Sequence, residues 1–118
     1  NGKTIAILPS SLDKVVPTQN KELARDIVRN GGLVISEYSV TSTMNKFNYP
    51  QRDRIQSLIS NVSIIIQSEN DGGTMIAAKK SLKDGKHVFA IKDNRLEAIG
   101  NYLDPTDFEQ LNLIQELI

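Results

Sequence analysis

The chain holds no cysteine and no tryptophan, and histidine occurs once, as His87. Disulfides and thiolate metal sites are therefore excluded, and a reducing compartment is allowed. With one imidazole, a zinc cluster or a Ser-His-Asp triad has little to draw on. No apolar run approaches the ~20 residues that a bilayer-spanning helix needs. Neither sign of charge is in excess, since 14 Lys+Arg balance 14 Asp+Glu. That balance hides an asymmetry: every Lys and Arg lies within residues 1–95, whereas 96–118 hold Glu97, Asp104, Asp107, Glu109 and Glu116. A mildly basic body leaves room for an anionic partner, and two solvated faces of opposite sign explain the pattern as well.

What is present is ordinary for a globular chain of 118 residues, with 39% hydrophobic and 24% charged residues, enough for one domain with a modest core. Thr4-Ile5-Ala6-Ile7-Leu8 reads as a strand buried on both faces. A chain that opens on such a strand without Met is expected to be cut from something longer. Pro17-Thr18 opens a helix with Leu23, Ala24, Ile27 and Val28 on one face, ended by Gly31-Gly32. Leu33 to Ser36 is a second strand, and Glu37 to Phe47 a polar loop of a length that is more often functional than decorative. Val62 to Ile66 and Val88 to Ile91 are further strands, separated by a helix that starts at Gly72-Gly73 and closes near Gly85. Asp104-Pro105 is read as the start of a last helix lined by Phe108, Leu111, Ile114 and Leu117. Strands alternating with helices predict right-handed βαβ units: one α/β domain over residues 1–118, Rossmann-like and three-layered, with a mainly parallel sheet.

In such sheets ligands sit beyond the carboxyl ends of the strands, where Pro9–Asp13, the loop into Arg52 and Arg54, and Gly72–Thr74 all fall. Pro50 suits a first helical turn, which places Arg52 and Arg54 near the positive end of the helix dipole. Cations are disfavoured there by roughly 0.3–1 kcal/mol each, so the pair is expected to answer to an anion, phosphate above all. The alternative is that both are solvated charges partnered by Asp53 and Glu37. Lys46 is the nearest additional cation, while Lys79, Lys80 and Lys83 read as a wet helix face. Gly72-Gly73-Thr74 can bring backbone N–H groups to an anion, or form a plain turn in which Thr74 caps the helix. Phe47 and Tyr49 can stack on a base or anchor the loop to the core. His87 reads as structural. Asp13 and Glu37 have no visible base or nucleophile beside them, so no catalytic or metal-binding residue is nominated.

Asn48-Tyr49-Pro50-Gln51-Arg52-Asp53-Arg54-Ile55 resembles the Asn-Phe-Pro-x-Arg-Asn-Arg-Ile motif of the DNA-processing protein A (DprA/Smf) family. Gly32-Leu33-Val34-Ile35-Ser36-Glu37-Tyr38 resembles its Gly-x-Leu-x-Ser-Glu-x, and Gly73-Thr74-Met75-Ile76-Ala77-Ala78 its Gly-Ser-Leu-Ile-Thr-Ala. Leu12-Asp13, Gly85 to Ile91 and Gly100-Asn101-Tyr102-Leu103 agree in order and spacing. The resemblance implies a bacterial, cytoplasmic Rossmann-like domain that binds single-stranded DNA, forms a homodimer and loads a RecA-type recombinase in natural transformation. It implies DNA recombination without catalysis and without a cofactor. By position, Arg52 and Arg54 would bind phosphate, with Lys46, Asn48, Gly72, Gly73 and Thr74 completing the pocket. The sequence departs from the family in three places. Its Gly-Ser-Arg loop would lie before residue 1, its Gly-x-Gly turn is Pro9-Ser10-Ser11 here, and its motif asparagine is Asp53.

Two other readings remain. Asp71-Gly72-Gly73-Thr74 is similar to part of the Pro-Gly-Gly-x-Gly-Thr-x-x-Glu loop of lysine-decarboxylase-like (LOG) phosphoribohydrolases, which would make the chain a small-nucleotide protein; Ala77 stands where that loop has glutamate. A pure interaction module is the third, because Leu111, Leu113, Ile114, Leu117 and Ile118 exceed what one helix face needs.

Overall fold

The computed structural model describes residues 2–69, 72–91, 102–104 and 106–117. Two compact units divide the chain, Asn1–Ile55 and Gln56–Ile118.

In the first unit, strand β1 (Ile5–Ile7) is joined through helix α1 (Lys21–Arg29) to strand β2 (Leu33–Ile35), a βαβ unit. The strands are parallel, with Ile5, Ala6 and Ile7 opposite Leu33, Val34 and Ile35. A short 3-10 turn, Thr18–Asn20, leads into α1. Gly31, at φ 77°, ends α1 in the left-handed conformation that glycine alone adopts without cost, and its N–H donates to Val28. Gly32 then passes so close to β1 that a Cβ would stand 2.5 Å from the Thr4 carbonyl oxygen. The strand expected to be buried on both faces is buried only at its carboxyl end: Ile7 and Leu8 are covered, while Ile5 is 56% exposed. At that end Arg52 and Asn48 reach in from α2, donating to the carbonyls of Ile7 and Pro9.

Helix α2 runs from Asn48 to Ile59, and the division between the units falls within it. In the second unit, β3 (Val62–Ile65), β4 (His87–Ile91) and β5 (Tyr102–Leu103) form a parallel sheet in that order. Helix α3 (Gly73–Lys83) supplies Met75, Ala78 and Leu82 at helical spacing to a core shared with Ile65, Val88 and Ala90. Gly85, at φ 74°, follows its end as expected. Lys86 Nζ donates to the carbonyl oxygens of Ser57 and Leu58, which α2 leaves without intrahelical partners at its end, and to that of Ser60 just beyond it. The buried hydroxyls of Ser57 and Ser81, 2.6 Å apart, bridge α2 and α3. Helix α4 (Phe108–Leu117) starts later than Asp104-Pro105 implied: Asp107 Oδ1 accepts the Gln110 N–H as its cap, and Asp104 instead accepts from Thr106. Pro105 itself lies outside the described residues. Ile114 is the buried residue of α4, whereas Phe108 and Leu113 are exposed.

Both sheets are parallel and the fold is Rossmann-like, as the alternation of strands and helices predicted. Among the described residues, no helix is long and apolar enough to cross a membrane.

Candidate functional site

The first unit brings the start of α2 to the carboxyl end of β1. Asn48 is buried, 4% exposed, and its amide donates to the Pro9 carbonyl at 2.8 Å. Arg52 Nη1 donates to the Ile7 carbonyl at 2.9 Å, and its Nε to Asp53 Oδ1 at 2.7 Å. Ser36 Oγ closes the same region from β2 by donating to the Ser10 carbonyl at 2.6 Å. Three side chains therefore satisfy backbone carbonyls at the end of β1 and in the turn just beyond it. A cavity of about 100 Å³ remains beside them, lined by Ser10, Ser11, Tyr38, Met44 and Asn48 among others. Among the described residues, the Ser10 hydroxyl there has no partner. The Ser11 hydroxyl makes no aligned hydrogen bond either, although its dipole beside Asp13 holds that exposed carboxyl below the usual carboxylate range.

Two expectations change at this point. Asn48 and Tyr49 take helical backbone ahead of Pro50, so α2 starts earlier and Arg52 and Arg54 lie beyond its first turn. The dipole fades within that turn, so its penalty no longer argues for an anion at these residues. Asn48, nominated as a phosphate ligand, spends its amide inside the protein and holds the loop instead of facing solvent. Arg52 is similarly committed, with its side chain 23% exposed.

Arg54 is different. Its Nη2 donates to both Glu37 oxygens at 2.7 Å, and both side chains are nearly half exposed. The partners foreseen for solvated arginines, Asp53 and Glu37, are thus the ones present. Lys46 is exposed with Nζ 5.4 Å from the Phe47 ring centroid. Phe47 is 68% and Tyr49 45% exposed, so neither is a core anchor. The sequence left both open between stacking on a base and anchoring the loop, and their exposure removes the second role.

In the second unit, Gly72 precedes α3 as its N-cap, with extended backbone and no side-chain cap. Its carbonyl accepts from Met75 at 3.0 Å and Ile76 at 3.2 Å, so Thr74 is inside the helix and does not cap it. Helix geometry leaves the N–H groups of Gly73 and Thr74 without an intrahelical acceptor, pointing out of the helix start. Asp71 lies outside the described residues. Among the described residues, no cluster of His, Cys, Asp or Glu is arranged to hold a metal.

A parallel α/β fold of Rossmann-like type, with cations and exposed aromatics at its loop end, defines the class of domain. The chain belongs to the DNA recombination-mediator protein A family, whose profile matches residues 1–102. It is 33% identical over 100 residues to the DNA processing protein DprA of Streptococcus pneumoniae, covering 85% of this chain and 35% of that protein. Protein Smf of Synechocystis is 34% identical over 94 residues, covering 80% and 23%. The chain thus spans only a quarter to a third of these relatives. Among solved structures, DNA processing protein A from Helicobacter pylori, described for its single-stranded DNA binding mode, superposes with a TM-score of 0.80 at 28% identity, over 96% of this chain and 57% of that one. The Streptococcus pneumoniae protein superposes with a TM-score of 0.69 at 30% identity, over 98% and 38%.

Proposed function

We propose that this chain binds single-stranded DNA as part of a recombination mediator, by contact and not by catalysis. The observation that carries the reading is the solvent-exposed set Lys46, Phe47, Tyr49 and Arg54 on one short segment. Single strands offer phosphates for cations and unpaired bases for aromatic faces, and this segment offers both counterparts. Arg54 and Lys46 take phosphates, Phe47 and Tyr49 take bases, and Arg52 and Asn48 hold the segment to β1. In the second unit, Gly73 and Thr74 offer backbone N–H groups to a phosphate, while Gly72 spends its own on the Glu69 carbonyl and shapes the turn before them. Membership of the family and the single-stranded DNA binding described for the Helicobacter pylori neighbour support the assignment. Homodimer formation, delivery of the strand to a RecA-type recombinase and a cytoplasmic setting complete the proposal, on the strength of the family resemblance.

Fluorescence anisotropy with a labelled dT oligomer of about 20 nucleotides tests it. Affinity is expected to fall steeply with salt, and Arg54→Ala to make the log–log slope shallower by about 0.7. Phe47→Ala with Tyr49→Ala is expected to cost about 1–3 kcal/mol per stacked base. Binding that ignores all three substitutions would refute the assignment.

A further inference from the structure

Helix α1 carries a cationic surface that the segment around α2 does not use. Lys21, Arg25 and Arg29 recur every fourth residue, and a rise of 1.5 Å per residue sets neighbours ~6 Å apart on one face. All three line a single groove of about 450 Å³ together with Val15, Ala24 and Val28. Val28 is 56% exposed there, and no residue of α1 is buried. The groove is therefore mainly apolar, edged by a row of three cations and the Asp13 carboxylate. Three carboxylates oppose the cations. Asp13 lines the groove, Glu22 accepts from Arg25, and Asp26 accepts from Arg29 at 3.1 Å. Both ion pairs are more than half exposed, a setting in which one anion is readily exchanged for another.

The shape of the groove discriminates among anions. A free phosphate engages one cation and leaves the apolar wall wet. A duplex turns phosphates outward and keeps its base faces stacked away from the protein. A single strand presents consecutive phosphates and open base faces together, which matches a row of cations beside an apolar wall. We infer that the α1 groove is a second contact surface for single-stranded nucleic acid, extending along α1 the binding proposed at α2 and resting on that reading. Short strands engage α2 alone, and longer ones also lie along Lys21, Arg25 and Arg29.

Anisotropy titrations over a salt series, with dT oligomers of about 8 and about 30 nucleotides, test this. The triple variant Lys21→Gln, Arg25→Gln, Arg29→Gln is expected to weaken the long oligomer about tenfold, the short one much less, and to make the long oligomer's slope shallower by about 2. Its three positions are exposed, and Glu22→Gln with Asp26→Gln, which frees two arginines, is expected to tighten the long oligomer about threefold. Equal behaviour of both variants and the unaltered chain overturns the inference. If Arg54→Ala weakens binding while the triple variant does not, the proposed function stands without it. Should the triple variant weaken binding while Arg54→Ala does not, α1 is the site and the reading at α2 fails; no binding at all removes both.

Discussion

Glu37 already occupies Arg54, so at the scale of single residues a phosphate binds only by displacing a carboxylate. Exposed pairs of this kind contribute roughly 0–1 kcal/mol, which a charge-assisted phosphate contact exceeds. Glu37→Gln is therefore expected to tighten single-stranded DNA by about threefold, read by anisotropy; weaker binding would mean that Glu37 orients Arg54 and does not compete for it. Asn48 answers to a different test. Removing its amide leaves the Pro9 carbonyl unsatisfied, and Asn48→Ala is expected to cost about 1–3 kcal/mol in denaturant unfolding. Its sequence neighbours showed why residue roles were only partly legible. Motif position put Asn48, Arg52 and Arg54 in one category, and burial separated them: the first two hold the fold and the third meets solvent. No pattern in the chain announces that Arg52 finds the Ile7 carbonyl, 45 residues away.

Among the elements, those with strong punctuation were the most legible. Gly31 and Gly85 fixed the ends of α1 and α3, and Met75, Ala78 and Leu82 marked the buried face of α3 by spacing. Strand β5 escaped notice because two residues carry no period. The start of α2 was placed too late, since Pro50 suits the first helical position but is tolerated through the whole first turn, where no N–H is required. Asp107 and Gln110 form the D-x-x-Q pattern of a helix start, and Asp104-Pro105 drew attention from it. A further element-scale prediction concerns the end of α2. Lys86 satisfies two of its last carbonyls and that of Ser60 just beyond it, so Lys86→Met is expected to lower stability by about 1–2 kcal/mol, shown as a lower urea midpoint with an unchanged m-value.

For the whole molecule, the zero net charge conceals a basic body and an acidic tail, and binding in this account depends on where the cations sit. The central claim is that a single strand lies against Phe47 and Tyr49 with its phosphates at Lys46 and Arg54. Photo-crosslinking with halogenated-pyrimidine oligomers, followed by peptide mapping, addresses it most directly. Adducts at Phe47 or Tyr49 that vanish in competition with unlabelled single-stranded DNA are the predicted result. Adducts confined to peptides outside residues 46–54, or none under conditions where the strand is bound, would contradict it.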